Sequence, residues 1–110
     1  MRGIITLCGS VKFKKRFEEV NQSLERAGWI VLSVADFNHE SFHTFEKDIK
    51  EKLDILHKVK INISEAIFVI DVNTYVGEST KSEIDYAKQK DKQIYWFSKG
   101  DLERINGNHD

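Results

Sequence analysis

Four short apolar runs constrain this chain more than any other feature: Ile4–Cys8 (IITLC), Trp29–Val34 (WIVLSV), Ala66–Ile70 (AIFVI) and Ile94–Phe97 (IYWF). They are rich in β-branched and aromatic residues and mostly unalternating, which fits strands covered on both faces of a parallel sheet. Helical patterns lie between them. Phe13, Phe17, Val20, Leu24 and Ala27 recur at spacings of four and three, and Gly28 is the stop signal. Phe45, Ile49, Leu53 and Leu56 run through the charged segment FEKDIKEKLDILHK as a second stripe. Ile84 and Ala87, with Tyr86 beside them, mark a third that ends near Lys90.

The resulting order, β-α-β-α-β-α-β, calls for a parallel sheet, because strands joined by helical crossovers run the same way. The expected class is therefore α/β: a flavodoxin-like or Rossmann-like three-layer sandwich with a four- to five-stranded parallel sheet. Its 110 residues suit one domain over 1–110, with a tail over about 99–110 that has room for a short helix. A chain of this length buries roughly 65% of its unfolded surface, enough for a core without disulfides. Cys8 is the single cysteine, as a reducing cytoplasm would favour. The net charge of −1 gives no footprint for nucleic acid or an anionic membrane surface. No apolar run approaches the roughly 18 residues of a membrane span, and MRGIITLCGS lacks the apolar core of a signal peptide.

In a parallel sheet ligands sit beyond the carboxyl ends of the strands, at the switch point of the topology. That rule selects the loops Gly9–Lys12, Ala35–His43, Asp71–Thr80 and Ser98–Asp101. In the first, Gly9 lets the backbone turn, Ser10 can cap the next helix and Lys12 adds a charge, so phosphate is one fitting ligand. The glycines of a Walker loop or dinucleotide fingerprint are missing, and Gly-Ser is also a serviceable turn and cap in any protein. In the third, Asp71 and Asn73 leave the sheet, Tyr75 offers a flat ring, Gly77 permits close backbone approach, and Ser79 and Thr80 supply hydroxyls. Convergent polar groups beside an aromatic plate suit a nucleoside or nucleotide; an Asx-turn leading to a helix cap needs the same residues.

Glu83 follows directly, with two competing roles. Thr80-x-x-Glu83 reads as a capping box that starts a helix. A carboxylate in the first turn is also kept ionised by the helix dipole, the right state to attack an electrophilic sugar carbon. One conformer cannot serve both roles, and spacing alone does not choose.

LCGS after the first run, together with SEAIFVIDVNTYVGESTKSEIDYAKQKDKQIYWF, resembles the nucleoside 2-deoxyribosyltransferase superfamily and its 2'-deoxynucleoside 5'-monophosphate N-glycosidases. The resemblance spans nearly the whole chain on short motifs. It implies that Glu83 is the catalytic nucleophile, with Ala87 and KQIYWF trailing it. It implies that the CGS element, Cys8, Gly9 and Ser10, binds a 5'-phosphate, with hydrolysis favoured over transfer. The family's sugar-handling Asp in the second helix aligns with His57, and Asp54 lies one turn earlier. A homodimer is implied as well, to which Phe42, Phe45 and Tyr86 could contribute.

The partner expected is thus a small nucleotide or nucleoside, with no cofactor and no metal. His39 and His43 stand four apart, but no third ligand has a recognised spacing. Apart from the resemblance, Cys8 reads as a core thiol, and Asp36 and Asn38 as loop residues within reach of a base. Two alternatives stay open: a nucleotide sensor without chemistry, favoured by His57 in place of Asp, and a protein directed at NAD or a cyclic nucleotide, whose bulk the Asp36–Phe45 loop could admit.

Overall fold

The computed structural model describes residues 2–34 and 47–106. Strands β1 (Gly3–Gly9), β2 (Trp29–Ser33), β3 (Ala66–Ile70) and β4 (Gln93–Trp96) form one sheet in the order β2-β1-β3-β4. Every pairing is parallel. The crossovers are α1 (Lys14–Arg26), α2 (Lys47–Asn62) and α3 (Glu78–Gln89), and a short α4 (Asp101–Asn106) follows β4. The sheet therefore has four strands, and the tail contributes a helix that packs on α1 and β4.

Alternation along β1 and β3 divides the interior in two. Ile5, Leu7, Ala66, Phe68 and Ile70 face α1, meeting Phe17, Val20 and Leu24 of the stripe expected there. Cys8, Ile67 and Val69 face the other way, onto Ile61 beside α2's end, Ile84 and Ala87. Burying each large apolar side chain contributes about 1.5–3 kcal/mol. Ala27 caps α1, and Gly28 follows at φ 99°, a left-handed position that glycine adopts without steric cost.

Two expectations need correcting. The edge strand β2 is only half-buried, with Ile30 exposed, because none of the described strands covers its outer side. In α2 the inward face is not the stripe through Ile49 and Leu56, both of which are exposed. The half-buried Leu53 and His57 and the buried Ile61 turn inward instead, and the buried Ser64 follows just past the helix end. Polar residues occupy that face because they meet polar partners: the Ser64 hydroxyl lies 2.6 Å from Thr6 Oγ1 on β1 and donates to the Lys60 carbonyl at 2.7 Å. Phe45 and the loop 35–43 fall outside the described residues. No described helix is long and apolar enough to cross a membrane.

Candidate active site

The chain leaves β1 toward β2 on one side and reaches β3 on the other, so a crevice opens beyond the paired carboxyl ends of β1 and β3, where the two exits diverge. Gly9, at φ 157°, ends β1 against Ile70; a Cβ there would lie 3.0 Å from the Ile70 carbonyl oxygen. Only glycine lets the two strand ends approach so closely. Ser10 then accepts from the Lys12 N–H at 3.3 Å and caps a single 3-10 turn, Val11–Phe13, rather than α1 itself.

A cleft of about 470 Å³ fills this crevice. Gly9, Ser10 and Val11 form one wall, and Tyr75 with Gly77, Glu78, Ser79 and Thr80 the opposite one. Lys50, Leu53, Asp54 and His57 close it from α2, and Glu83 lies among the lining residues from α3. A second hollow of about 490 Å³ runs along the outer side of α2 and α3 past Lys58, Lys81 and Asp85, away from the strand ends and with no buried acid.

Glu83 sits deepest. Gly77, not Thr80, is the N-cap of α3, which makes Glu83 the sixth helical residue and places it in the second turn. The capping box is therefore not formed. The helix starts three residues earlier than that motif suggests, so Thr80 and Glu83 both point inward with Ile84 and Ala87. The Glu83 residue is 3% exposed. Its Oε2 lies 3.4 Å from His57 Nδ1, and the His57 ring is partly open to the cleft. The Gly77 cap contributes no side-chain hydrogen bond, so the first-turn N–H groups of α3, bordering the cleft, are left to other partners.

The remaining expected residues divide into three groups. Gly9, Ser10, Tyr75, Gly77, Ser79, Thr80 and His57 line the cleft with Glu83. Lys12 stands at its rim, its Nζ 3.4 Å from the centre of the Tyr75 ring. Cys8, Asp71 and Asn73 do not reach it. Cys8 is fully buried beneath the cleft floor; burial pushes its thiol pKa well up, and the nearby Glu83 carboxylate pushes it further. Asp71 accepts hydrogen bonds from the Ser98 N–H at 2.9 Å and its hydroxyl at 2.6 Å, pinning the β3 exit to the β4 exit. Asn73 and Thr74 follow at φ 54° and 64°, left-handed values that cost of order 1–3 kcal/mol each outside glycine. This turn fixes Tyr75 at the mouth.

Lys50 was missed by sequence reasoning, and Asp54 was noted only by alignment. Their signal was available: Lys50, Asp54 and His57 stand at i, i+4 and i+7, one helical face. Asp36, Asn38, His39 and His43 lie outside the described residues. Among those described, no three His, Cys, Asp or Glu side chains gather as a metal ligand set.

No family model matches the chain, and no curated protein matches it. Among solved structures it is similar to the CMP N-glycosidase BcmB of Clostridium botulinum, with a TM-score of 0.59 and 20% identity over 94% of this chain and 82% of that one. The two share the three-layer α/β fold.

Proposed function

We propose that this protein cleaves the N-glycosidic bond of a nucleoside 5'-monophosphate or nucleoside, with Glu83 as the nucleophile. One observation carries the reading: a nearly buried carboxylate at the floor of a switch-point cleft, with an imidazole nitrogen 3.4 Å away. A buried acid costs stability unless something compensates, and capping does not explain this one. The CMP N-glycosidase with the same fold adds support for the substrate class.

In the proposed reaction the Glu83 carboxylate attacks C1' as the C1'–N bond breaks. The bonding electron pair leaves with the base, which takes up a proton from solvent, and a glycosyl ester forms on Glu83. Water then adds at C1' and returns a proton to solvent, the ester bond breaks, and the carboxylate is restored as the sugar is released with a hydroxyl. His57 holds the orientation of the carboxylate through Nδ1. Gly9, Ser10 and Lys12 would take a 5'-phosphate, and Tyr75 would pack on base or sugar. Hydrolysis is favoured over transfer in this reading because the CGS element resembles that of the phosphate-binding branch. A homodimer belongs to the same reading: α2 leaves Ile55, Leu56 and Val59 exposed, a surface a second copy would cover. Sedimentation would report it as a two-chain mass.

Release of free base from a panel of ribo- and deoxyribonucleoside 5'-monophosphates, their nucleosides and NAD tests the chemistry. The wild type should release base from at least one monophosphate, and Glu83→Gln should lose about a thousandfold or more of that rate with its fold intact. Binding without release by the wild type would leave a sensor; release by Glu83→Gln at the wild-type rate would remove Glu83 from the chemistry.

A further inference from the structure

Lys12 and Tyr75 come from different loops, one after β1 and one after β3, and their contact spans the mouth of the cleft. The ammonium lies 3.4 Å from the ring centre, on a face of the ring, while Phe13 meets the same ring edge-to-face at 5.9 Å. Tyr75 is nevertheless 46% exposed and lines the cleft, as do the three residues just before Lys12. The ring face that Lys12 covers is not open to a flat ligand, and an ammonium held on that ring is not free to meet an anion.

We propose that this pair is a phosphate-released latch that makes the site select phosphorylated ligands over their unphosphorylated counterparts. The inference rests on the nucleotide-site reading above and adds a mechanism of specificity to it. A phosphate beside Ser10 carries up to two full charges, whereas the tyrosine ring offers only the negative face of its quadrupole. The ammonium therefore leaves the ring for the phosphate, and the uncovered face becomes a stacking surface. A neutral nucleoside brings nothing to draw Lys12 away and must displace it unaided. The moving part is Lys12, on a long flexible stem at an exposed position. Tyr75 stays in place because the left-handed turn at Asn73 and Thr74 and the Asp71–Ser98 bonds fix its backbone.

The latch separates two contributions that a simple phosphate contact would merge. If Lys12 only attracted phosphate, Lys12→Ala, which removes the stem from the ring as well as the charge, would weaken nucleotide binding and leave nucleoside binding unchanged. With a latch, the same substitution weakens the nucleotide about tenfold and tightens the nucleoside about two- to fivefold, because the ring is already bare. Tyr75→Phe keeps a ring for the ammonium and should preserve the wild-type ratio; Tyr75→Leu should not.

Nuclear magnetic resonance on lysine-labelled protein reads the latch without any catalysis. The ring current of Tyr75 should shift the Lys12 ε-methylene signal upfield in the free protein, and Tyr75→Leu should remove most of that shift, leaving the smaller effect of the Phe13 ring, whose centre is 5.4 Å from the ammonium. Inorganic phosphate and then a nucleoside 5'-monophosphate should release the shift in the wild type; the parent nucleoside at low occupancy should not. An unshifted signal in the free protein, a shifted signal that phosphate leaves in place, or unchanged nucleoside affinity in Lys12→Ala would overturn the latch. A protein that releases the signal yet cleaves no glycosidic bond keeps the latch and loses the hydrolase. One that cleaves while the signal stays put loses the latch alone.

Discussion

The two faces of one sheet are built from different materials. Toward α1 and α4, the core is an apolar cluster of Ile5, Leu7, Phe17, Val20, Leu24, Ala66, Phe68 and Ile70. The polar groups on this side are few: Asp101 accepts from the Trp96 N–H at 2.8 Å, and Trp29 Nε1 and Asn106 Oδ1 are buried without a hydrogen-bond partner among the described residues. Toward α2 and α3, an apolar group around Ile67, Val69 and Ile84 shares the space with buried Thr6, Ser64, Thr80 and Glu83. The first face is held chiefly by apolar packing and tolerates those two unmatched polar atoms. The second spends part of its interior on groups that need partners, and Glu83 is the one whose partner also faces a cleft. Stability and chemistry are thus assigned to opposite sides of β1 and β3.

Substitutions that hit one face should therefore spare the property of the other. Phe68→Ala on the apolar side should cost about 3–5 kcal/mol, a large share of a typical total of about 5–15 kcal/mol. Urea unfolding measures that loss, and the base-release rate per folded molecule should stay near wild type. Ser64→Ala on the polar side should cost less, about 1–2 kcal/mol, as the Thr6 hydroxyl loses its 2.6 Å partner. Glu83→Gln should leave stability within about 1 kcal/mol of wild type or raise it, since a buried carboxylate is exchanged for a neutral amide of the same shape. A stability loss for Glu83→Gln as large as that for Phe68→Ala would erase the contrast between the faces.

The smallest effect concerns pH. Cys8 has its pKa raised in the folded state, first by burial and then by Glu83, so the folded chain holds the thiol proton more firmly than the unfolded one. Its contribution to stability is complete below the ordinary thiol value near 9.0 and is lost as pH rises past it. The fall in urea midpoint between neutral pH and pH 10 should be smaller in Cys8→Ala than in wild type. The thiol should also resist alkylation while the fold is intact.

The apolar face was legible in the sequence because its pattern is made of the residues it buries. The runs around Ile5 and Phe68 and the stripe from Phe17 to Leu24 needed nothing beyond hydrophobic periodicity. The polar face was harder for the same physical reason. In α2 an apolar stripe led to Ile49 and Leu56, whereas the inward side carries the half-buried His57, and Ser64 is buried just past the helix; their partners, Glu83 and Thr6, come from elsewhere in the chain. Likewise, Thr80-x-x-Glu83 has the spacing of a capping box, but Gly77 takes the cap because its extended backbone starts the helix earlier. The crevice between β1 and β3 could be named from strand order; the partner of each polar group in it could not, because those contacts join residues tens of positions apart.

The stereochemistry of bond cleavage tests the role of Glu83 most directly. The protein would be supplied with its substrate and methanol, and the anomeric configuration of the methyl glycoside read by proton resonance before it can equilibrate. Attack by Glu83 followed by attack of methanol inverts C1' twice, so the product should keep the β configuration of the nucleotide. An α-methyl glycoside would mean a single displacement by solvent, and Glu83 would not be the nucleophile.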